Sequence, residues 1–163
     1  MGDWTGTVPS HAAGSSSKAS KLQTLDDIAT ALVTAWTTWT PTLTNLTLGN
    51  GTQVAKYRRL GKTVDFFWSL TLGSTSAVGT TPSISLPVAA STDYTTYPPW
   101  TGGMLTDAST SARAPAVLNL SSTTTVVIQY FSALNTVANI GATLPWTWTT
   151  SDVLALQGTY YTA

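Results

Sequence analysis

The chain has 163 residues, enough for one domain with a single hydrophobic core and an appendage. Only 9% of its residues are charged, the formal net charge is zero, and cysteine is absent. This balance does not steer the protein toward nucleic acid or an anionic membrane, and it excludes disulfides and thiolate metal sites. Threonine, a β-branched residue typical of strand surfaces, supplies about a fifth of the chain. We therefore expect a β-rich protein whose surface is polar through hydroxyl groups.

The N-terminal stretch, residues 1–20, is rich in Gly, Ala and Ser and shows no periodicity. This composition predicts an extended arm or linker. The stretch lacks the basic start and the apolar run of a signal peptide. No part of the chain reaches the roughly 18 consecutive apolar residues of a membrane-spanning helix. We expect no membrane partner.

Residues 21–40 are predicted to form one short amphipathic α-helix. Thr24, followed by Asp26 and Asp27, is typical of a helix N-terminus, and Pro41 ends the pattern. Apolar residues recur at intervals of three and four, as in a coiled-coil seam. The seam consists of Leu22, Leu25, Ala29, Leu32, Trp36 and Trp39. The helix could pack on its own domain, or copies of the chain could associate through the seam. We favour association through the seam.

Residues 41–163 are predicted to form an antiparallel β-sandwich or jelly roll. Asn50-Gly51 is a strong hairpin signal, and a second turn is expected at Gly61-Lys62. Apolar and polar residues alternate through residues 63–72, which is the clearest strand, and Pro87 favours an edge strand or a bulge. Further strands are predicted at residues 42–48, 53–60, 83–88, 102–106, 114–120, 124–131, 138–144 and 153–161.

The sequence offers little for catalysis. Its one histidine, His11, lies in the N-terminal arm, which disfavours a Ser-His-Asp arrangement. A pair of carboxylates such as Asp93 with Asp107 is the remaining route to glycosidase chemistry. With no cysteine and one histidine, a zinc site is almost excluded. We expect no catalytic residue, no metal ligand and no cofactor, and therefore not an enzyme.

Two groups of residues are candidates for surface binding. Lys56, Arg58 and Arg59, with Lys62 close by, could contact a polyanion, or they could be a solvated hairpin edge partly balanced by Asp65. We favour the solvated edge. The second group is aromatic, and its rings could stack on sugars or could instead pack in the core or between subunits, the plainer interpretation. It consists of Tyr94, Tyr97, Trp100, Trp146 and Trp148.

Three stretches carry a resemblance to a known family. They read "WTTWTPTLTNLTLGNGTQVAKYRRLGKTV", "LGSTSAVGTTPSISLPVAA" and "LPWTWTTSDVLALQGTYYTA". Together they resemble a jelly-roll domain family in virion proteins of tailed phages, especially phages of actinobacterial hosts. The similarity extends from about Trp39 to the end of the chain and is a pattern of turns and aromatic residues. The resemblance implies a trimeric head domain with a structural or binding role, without a cofactor and without catalysis.

The part before this domain distinguishes two roles within the family. A tail fibre would carry a long shaft before its head, whereas only some forty residues precede the domain here. We therefore expect a trimeric capsid decoration protein (a minor capsid or head-fibre protein) anchored by its arm to the major capsid protein. It would be assembled in the host cytoplasm and reside in the virion, without a nucleic-acid partner. The alternative is a minor tail protein, a tail-tip receptor-binding head that contacts tail proteins and recognises a host surface glycan. A carbohydrate-active enzyme is a remote third interpretation.

Overall fold

The structure is a computed structural model that describes residues 36–95 and 102–163. The described residues form ten β-strands and one 3₁₀ turn at Thr92–Thr95, and they include no α-helix. The strands are β1 Thr37–Thr38, β2 Leu43–Thr47, β3 Thr52–Leu60, β4 Thr63–Thr71, β5 Ala77–Ser85, β6 Gly102–Thr106, β7 Arg113–Ser122, β8 Thr125–Ala133, β9 Thr136–Asn139 and β10 Val153–Tyr161. The prediction of an all-β antiparallel fold is confirmed.

The strands form one sheet in the order β1-β3-β4-β10-β6-β7-β8-β5-β2, with β9 paired to β8. Every pairing is antiparallel. Strands β2 and β3 follow each other in the chain but lie toward opposite ends of this order. The four residues between them can span at most roughly 18 Å, so the two ends of the sheet must approach each other. The sheet is accordingly curled strongly into a half-barrel.

The predicted hairpin at Asn50-Gly51 is wrong, because β2 and β3 do not pair with each other. The segment between them packs on the loop that joins β4 to β5 instead. The Asn50 side chain accepts a hydrogen bond from the Thr75 amide at 2.9 Å and donates one to Ser74 Oγ at 3.0 Å. Gly49 has a φ of 53°, and a Cβ there would overlap the Thr75 carbonyl. The segment that contains Asn50-Gly51 therefore connects the two ends of the sheet, and its long-range contacts hold it in this position.

The hydrophobic core lies on the inner face of the curled sheet. Alternate residues of β4, including Phe66 and Trp68, are at most 2% exposed. Leu156 of β10 lies directly opposite Trp68, and it too is buried. The Trp68 indole N–H donates to Gln53 Oε1 at 3.3 Å, which satisfies its one polar group. The predicted alternation of residues 63–72 is confirmed, with this face inward.

The helix predicted for residues 21–40 is wrong at its C-terminal end, where Thr37–Thr38 form strand β1 against β3. A spacing of three places Trp36 and Trp39 on one face of a helix, but on opposite faces of an extended chain. The two tryptophans therefore do not form successive positions of one seam. The other seam residues, Leu22, Leu25, Ala29 and Leu32, and the arm at residues 1–20, lie outside the described residues.

Trp39 packs inward at the start of the domain. Its ring makes edge-on contacts with Tyr57 at 6.2 Å and Phe66 at 6.1 Å between ring centroids. Its amide donates to the Ala55 carbonyl at 3.2 Å, which extends the pairing of β1 with β3. Trp39 is thus partly buried and packs against the domain core, to which both its backbone and its ring are joined.

Two further strand boundaries differ from the prediction. Strand β5 begins at Ala77 and contains Pro82, whereas Pro87 follows the strand. The pairing of β2 with β5 is irregular beside Asn45, whose φ is 53°, and this bulge accommodates the proline. Strand β9 covers Thr136–Asn139, earlier than the predicted residues 138–144. Within the described ranges, no helix has the length and apolar character needed to cross a bilayer.

Candidate functional site on the outer face of the sheet

The outer face of strands β3, β4, β10 and β6 brings together residues that are distant in sequence. Arg58 lies opposite Asp65, which in turn lies opposite Thr159. Two residues before Thr159 on β10, Gln157 lies opposite Gly102 of β6. Because side chains alternate between faces, these residues share the solvent side of the sheet. The register of three antiparallel pairings thus sets the position of every polar group described below.

Asp65 is the centre of a hydrogen-bonded row. Its Oδ1 accepts from Thr159 Oγ1 at 2.6 Å, and its Oδ2 accepts from Arg58 Nε at 2.9 Å. The hydroxyl of Thr159, followed by the hydrogen bond and charge of Arg58, lowers the pKa of Asp65 below its usual value. The carboxylate is therefore ionised near neutral pH and is held in one orientation by neighbours on two strands.

Trp36 extends this row beyond the edge of β3. Because Thr37 pairs with Tyr57, the preceding residue lies beside Arg58. The Arg58 guanidinium carbon is 5.3 Å from the centre of the Trp36 ring, within the range of a cation–π contact. The Trp36 side chain remains 43% exposed. The arginine thus connects an aromatic ring on one side to a carboxylate on the other.

These residues line an open depression of about 410 Å³. Its lining residues are Trp36, Arg58, Asp65, Phe66, Gly102, Gln157, Gly158 and Thr159. A second, more apolar depression of about 380 Å³ lies next to it. Its lining residues are Phe67, Gly102, Gly103, Met104, Ala155, Leu156 and Gln157. The two share Gly102 and Gln157, so they form adjoining parts of one surface, which we call the outer-face depression.

Two successive glycines in β6 have different structural roles. A Cβ on Gly103 would overlap the Ala155 carbonyl of the neighbouring strand, so only glycine permits this close approach. A Cβ on Gly102 would meet no atom within 4 Å. Packing among the described residues therefore does not require glycine at position 102. Its effect is to leave the middle of the outer-face depression open.

The outer-face depression offers a mixed set of recognition groups. The Asp65 carboxylate accepts hydrogen bonds, the terminal nitrogens of Arg58 donate them, and the Gln157 amide can do both. The Gln157 side chain makes no hydrogen bond to another described residue. Trp36 and Phe67 add apolar ring surface. Such a set suits a ligand that presents both hydroxyl groups and an apolar face.

The predicted basic group is only partly assembled at this site. Arg58 lines the depression, and Lys56 is exposed beside Phe67 on the same face. Arg59 faces the other way, where it donates to the carbonyl of Gly61 at 2.8 Å and to the hydroxyl of Thr162 at 3.2 Å. Arg58 and Asp65 form an ion pair at 2.9 Å, and the preference for a solvated edge over a polyanion site stays a prediction.

The described members of the predicted aromatic group form two separate pairs. Tyr94 stacks on Tyr161 with a centroid distance of 6.2 Å. Trp146 and Trp148 contact each other at 5.5 Å, and the Trp148 indole donates to the Gly141 carbonyl at 2.9 Å. Both tryptophans are half-buried against the core.

The other two predicted aromatic residues, Tyr97 and Trp100, lie outside the described residues, as does His11. Of the pairs above, only Tyr94 with Tyr161 lies near the outer-face depression. Tyr161 follows Thr159 by two residues on the same face of β10, a separation of roughly 7 Å along the strand.

The carboxylates considered for catalysis are bonded within their own loops. Asp107 accepts hydrogen bonds from the hydroxyls of Ser109 and Thr110, both at 2.7 Å. These bonds lower the pKa of Asp107 to about 2, that of Ser109 having the larger effect. Asp93 accepts from Ser91 Oγ at 2.9 Å. Across residues 36–95 and 102–163, no three His, Cys, Asp or Glu side chains are grouped so that they could hold a metal ion.

Sequence reasoning missed Gln157, Thr159 and Gly102. Alternation within "VLALQGTYY" does indicate that Gln157 and Thr159 share one face of β10. It does not indicate that β10 inserts between β4 and β6, because that pairing joins residues about 90 positions apart. The site could therefore be recognised only once the sheet order was known.

Comparison with known proteins adds no relative. No family model matches the chain, and neither the curated proteins nor the solved structures contain a significant match to it.

Proposed function

We propose that the chain is a non-enzymatic structural protein of a tailed-phage virion, a trimeric capsid decoration protein attached by its N-terminal segment. The proposal rests on the sequence resemblance, on the low and balanced charge, and on the way the chain enters the domain. Within it, the curled sheet is a jelly-roll head whose opposed ends form the two layers. The major capsid protein is the partner proposed for the arm, and three copies of the chain form the assembly.

The observation that carries this proposal is the junction at Trp39. The ring packs on Tyr57 and Phe66, and the backbone pairs with β3 through Ala55. In this proposal, a pull on the N-terminal segment is transmitted to strands β3 and β4, near one end of the sheet order. A domain held on a particle surface by its N-terminal segment needs such a junction.

The mass of the intact chain in light scattering tests the trimer. We expect three times the chain mass, and a lower mass for Leu25→Asp or Leu32→Asp if the predicted seam joins the copies. Leu134→Asp is the matched control, because Leu134 is 91% exposed in the turn between β8 and β9. A monomeric mass for the unmodified chain would contradict the assembly.

Labelling tests the location. Purified, fluorescently labelled protein is expected to bind genome-filled phage heads from which the decoration protein has been removed. The control is the chain without residues 1–34, which retains the domain of residues 35–163 and should no longer bind heads. Equal binding of both forms would contradict attachment through the arm.

A tail-tip receptor-binding head is the second candidate, and the outer-face depression favours it. A rigid, open surface with aromatic and polar groups suits recognition of a molecule on the host cell. Labelled protein that stains host cells but not phage heads would support this role over decoration.

A further inference from the structure

We propose that the outer-face depression is a binding site for an uncharged oligosaccharide, with one sugar stacked near Trp36 and the next lying over Gly102 toward Phe67. This inference deepens the receptor-binding candidate and rests on it for its biological role. Binding is measured on the purified chain. A negative result would therefore refute the site without affecting the trimer or the virion location.

The aromatic groups provide the first argument. A sugar ring has an apolar face of C–H groups that packs on an exposed aromatic ring. Trp36 is 43% exposed, and Phe67, which lines the adjoining part of the depression, is 37% exposed. Phe67 lies within strand β4, and Trp36 directly precedes β1, where Arg58 contacts its ring. Part of the entropic cost of ordering these rings is therefore met before a ligand covers them.

The polar groups provide the second argument. Sugar hydroxyls both donate and accept hydrogen bonds, so they need acceptors and donors side by side. The Asp65 carboxylate is fixed in place by Thr159 and Arg58, and each oxygen retains capacity for a further bond. Gln157, one row away, adds an amide that no described residue uses. Prearranged groups of this kind lower the entropic cost of binding a polar ligand.

The open position at Gly102 provides the third argument. Gly102 is the first residue of β6, and among the described residues no neighbouring atom requires a glycine there. A side chain at this position would project between the two parts of the depression. The four-residue step from Thr159 to Ala155 along β10 measures roughly 13 Å, which is long enough for more than one sugar ring.

The pairing of Arg58 with Asp65 is compatible with an uncharged ligand. Arg58 is already paired with Asp65, and Lys56 is the other cation on this part of the face. An anionic ligand seated beside Trp36 and Thr159 would face the ionised carboxylate of Asp65 directly. A neutral oligosaccharide uses the same groups without this repulsion.

The experiment is an NMR titration of the intact, isotopically labelled chain. The probes are soluble oligomers of glucose, galactose, mannose and N-acetylglucosamine, with a heparin oligosaccharide as the anionic comparison. We expect at least one neutral oligomer to shift the indole N–H signal of Trp36, which the Trp36→Ala variant assigns. Affinity on the order of 1 mM is expected for such an open site.

Three variants sharpen the test. Gly102→Val should fold normally, because a Cβ there meets no atom of the described residues within 4 Å, yet it should weaken binding at least about tenfold by filling the depression. Trp36→Ala should weaken binding about tenfold through loss of the stacking surface. Phe131→Ala is the matched control, because Phe131 is also 43% exposed but lies on β8, and its binding should equal that of the unmodified chain.

Several results would overturn the proposal. These are the absence of any shift with the neutral panel, shifts confined to the Trp146 and Trp148 signals, and unchanged affinity in Gly102→Val. Binding of the heparin oligosaccharide alone would replace it with a polyanion site. If Gly102→Val instead lowers the mass of the assembly, the face is a contact between copies of the chain and not a ligand site.

Discussion

The inner face of strand β4 contributes to the core and its outer face lines the outer-face depression, although the residues of the two faces are neighbours in sequence. Trp68 is fully buried and its ring is surrounded by core residues, whereas Phe67 beside it is 37% exposed. Asp65 and Phe67 point toward the outer-face depression, and Phe66 and Trp68 point into the core. Because the strand period is two, one nine-residue segment serves both stability and the candidate site. The two properties can therefore be changed separately.

The largest difference is expected between the two aromatic neighbours themselves. Trp68→Ala removes a fully buried side chain from the centre of the core and should lower the free energy of unfolding by about 4 kcal/mol. Phe67→Ala removes a partly exposed ring from the outer face and should cost less than about 1 kcal/mol. Urea denaturation of both variants checks this, and similar losses would contradict the assignment of the two faces.

The same comparison applies to the two tryptophans at the start of the domain. Trp39→Ala removes edge-on contacts with Tyr57 and Phe66 and should lower stability by about 2 kcal/mol. Trp36→Ala should change it by about 0.5 kcal/mol or less, because that ring lies at the surface. Thermal unfolding of the two variants measures the difference. Equal effects would favour the helical arrangement over the extended one.

The contribution of the buried Tyr160 to stability should depend on pH, which tests the packing of the inner face. Its hydroxyl donates to the Val88 carbonyl at 2.7 Å and accepts from the Val88 amide at 3.2 Å, and burial raises its pKa to about 12. In the unfolded chain a tyrosine loses its proton near pH 10, so this stability is present below about pH 10 and is lost toward pH 12. Tyr160→Phe should cost about 1–2 kcal/mol at neutral pH and flatten the alkaline fall in stability. An unchanged alkaline slope in chemical denaturation would contradict this.

We expect the smallest change in stability at Asp107, whose pKa is lowered by folding, whereas that of Tyr160 is raised. Hydrogen bonds from Ser109 and Thr110 lower its pKa to about 2, below that of an unfolded aspartate at about 3.9. Its contribution to stability is therefore complete above about pH 4 and is lost as the pH falls through 2. Asp107→Asn should reduce the acid dependence of the unfolding midpoint between these pH values. An unaltered acid branch would show that the turn does not depend on the carboxylate.

The strands were readable from the sequence where one face is buried and the other is polar. The boundaries predicted for β6 and β10 match the structure, and along most of β10 the alternation of residues reports burial directly. Trp36 and Trp39 were assigned wrongly, because a spacing of three fits a helical seam as well as it fits two faces of an extended chain. The hairpin predicted at Asn50-Gly51 is wrong, because a local turn sequence does not specify whether the two strands beside it pair with each other.

The candidate site depended on information that no local pattern contains. The sequence indicates Arg58 only as a candidate for surface binding, with the solvated edge favoured and Asp65 partly balancing its charge. Their association with Thr159 and Gln157 requires β10 to lie beside β4, and the open space at Gly102 requires β6 to lie beside β10. Such pairings depend on the free energy of the whole sheet and not on the propensities of a segment.

By itself, the sequence determined that the chain is β-rich, that its charges are few and balanced, and which face of each well-patterned strand is buried. Composition and a two-residue period determine these properties because they act on each segment independently. The tertiary structure alone decided that β10 enters between β4 and β6, that the sheet curls, and that Trp36, Asp65, Thr159 and Gln157 line one depression. The physical reason is that strand order and register are set by burying one common core, to which residues far apart in the chain contribute together.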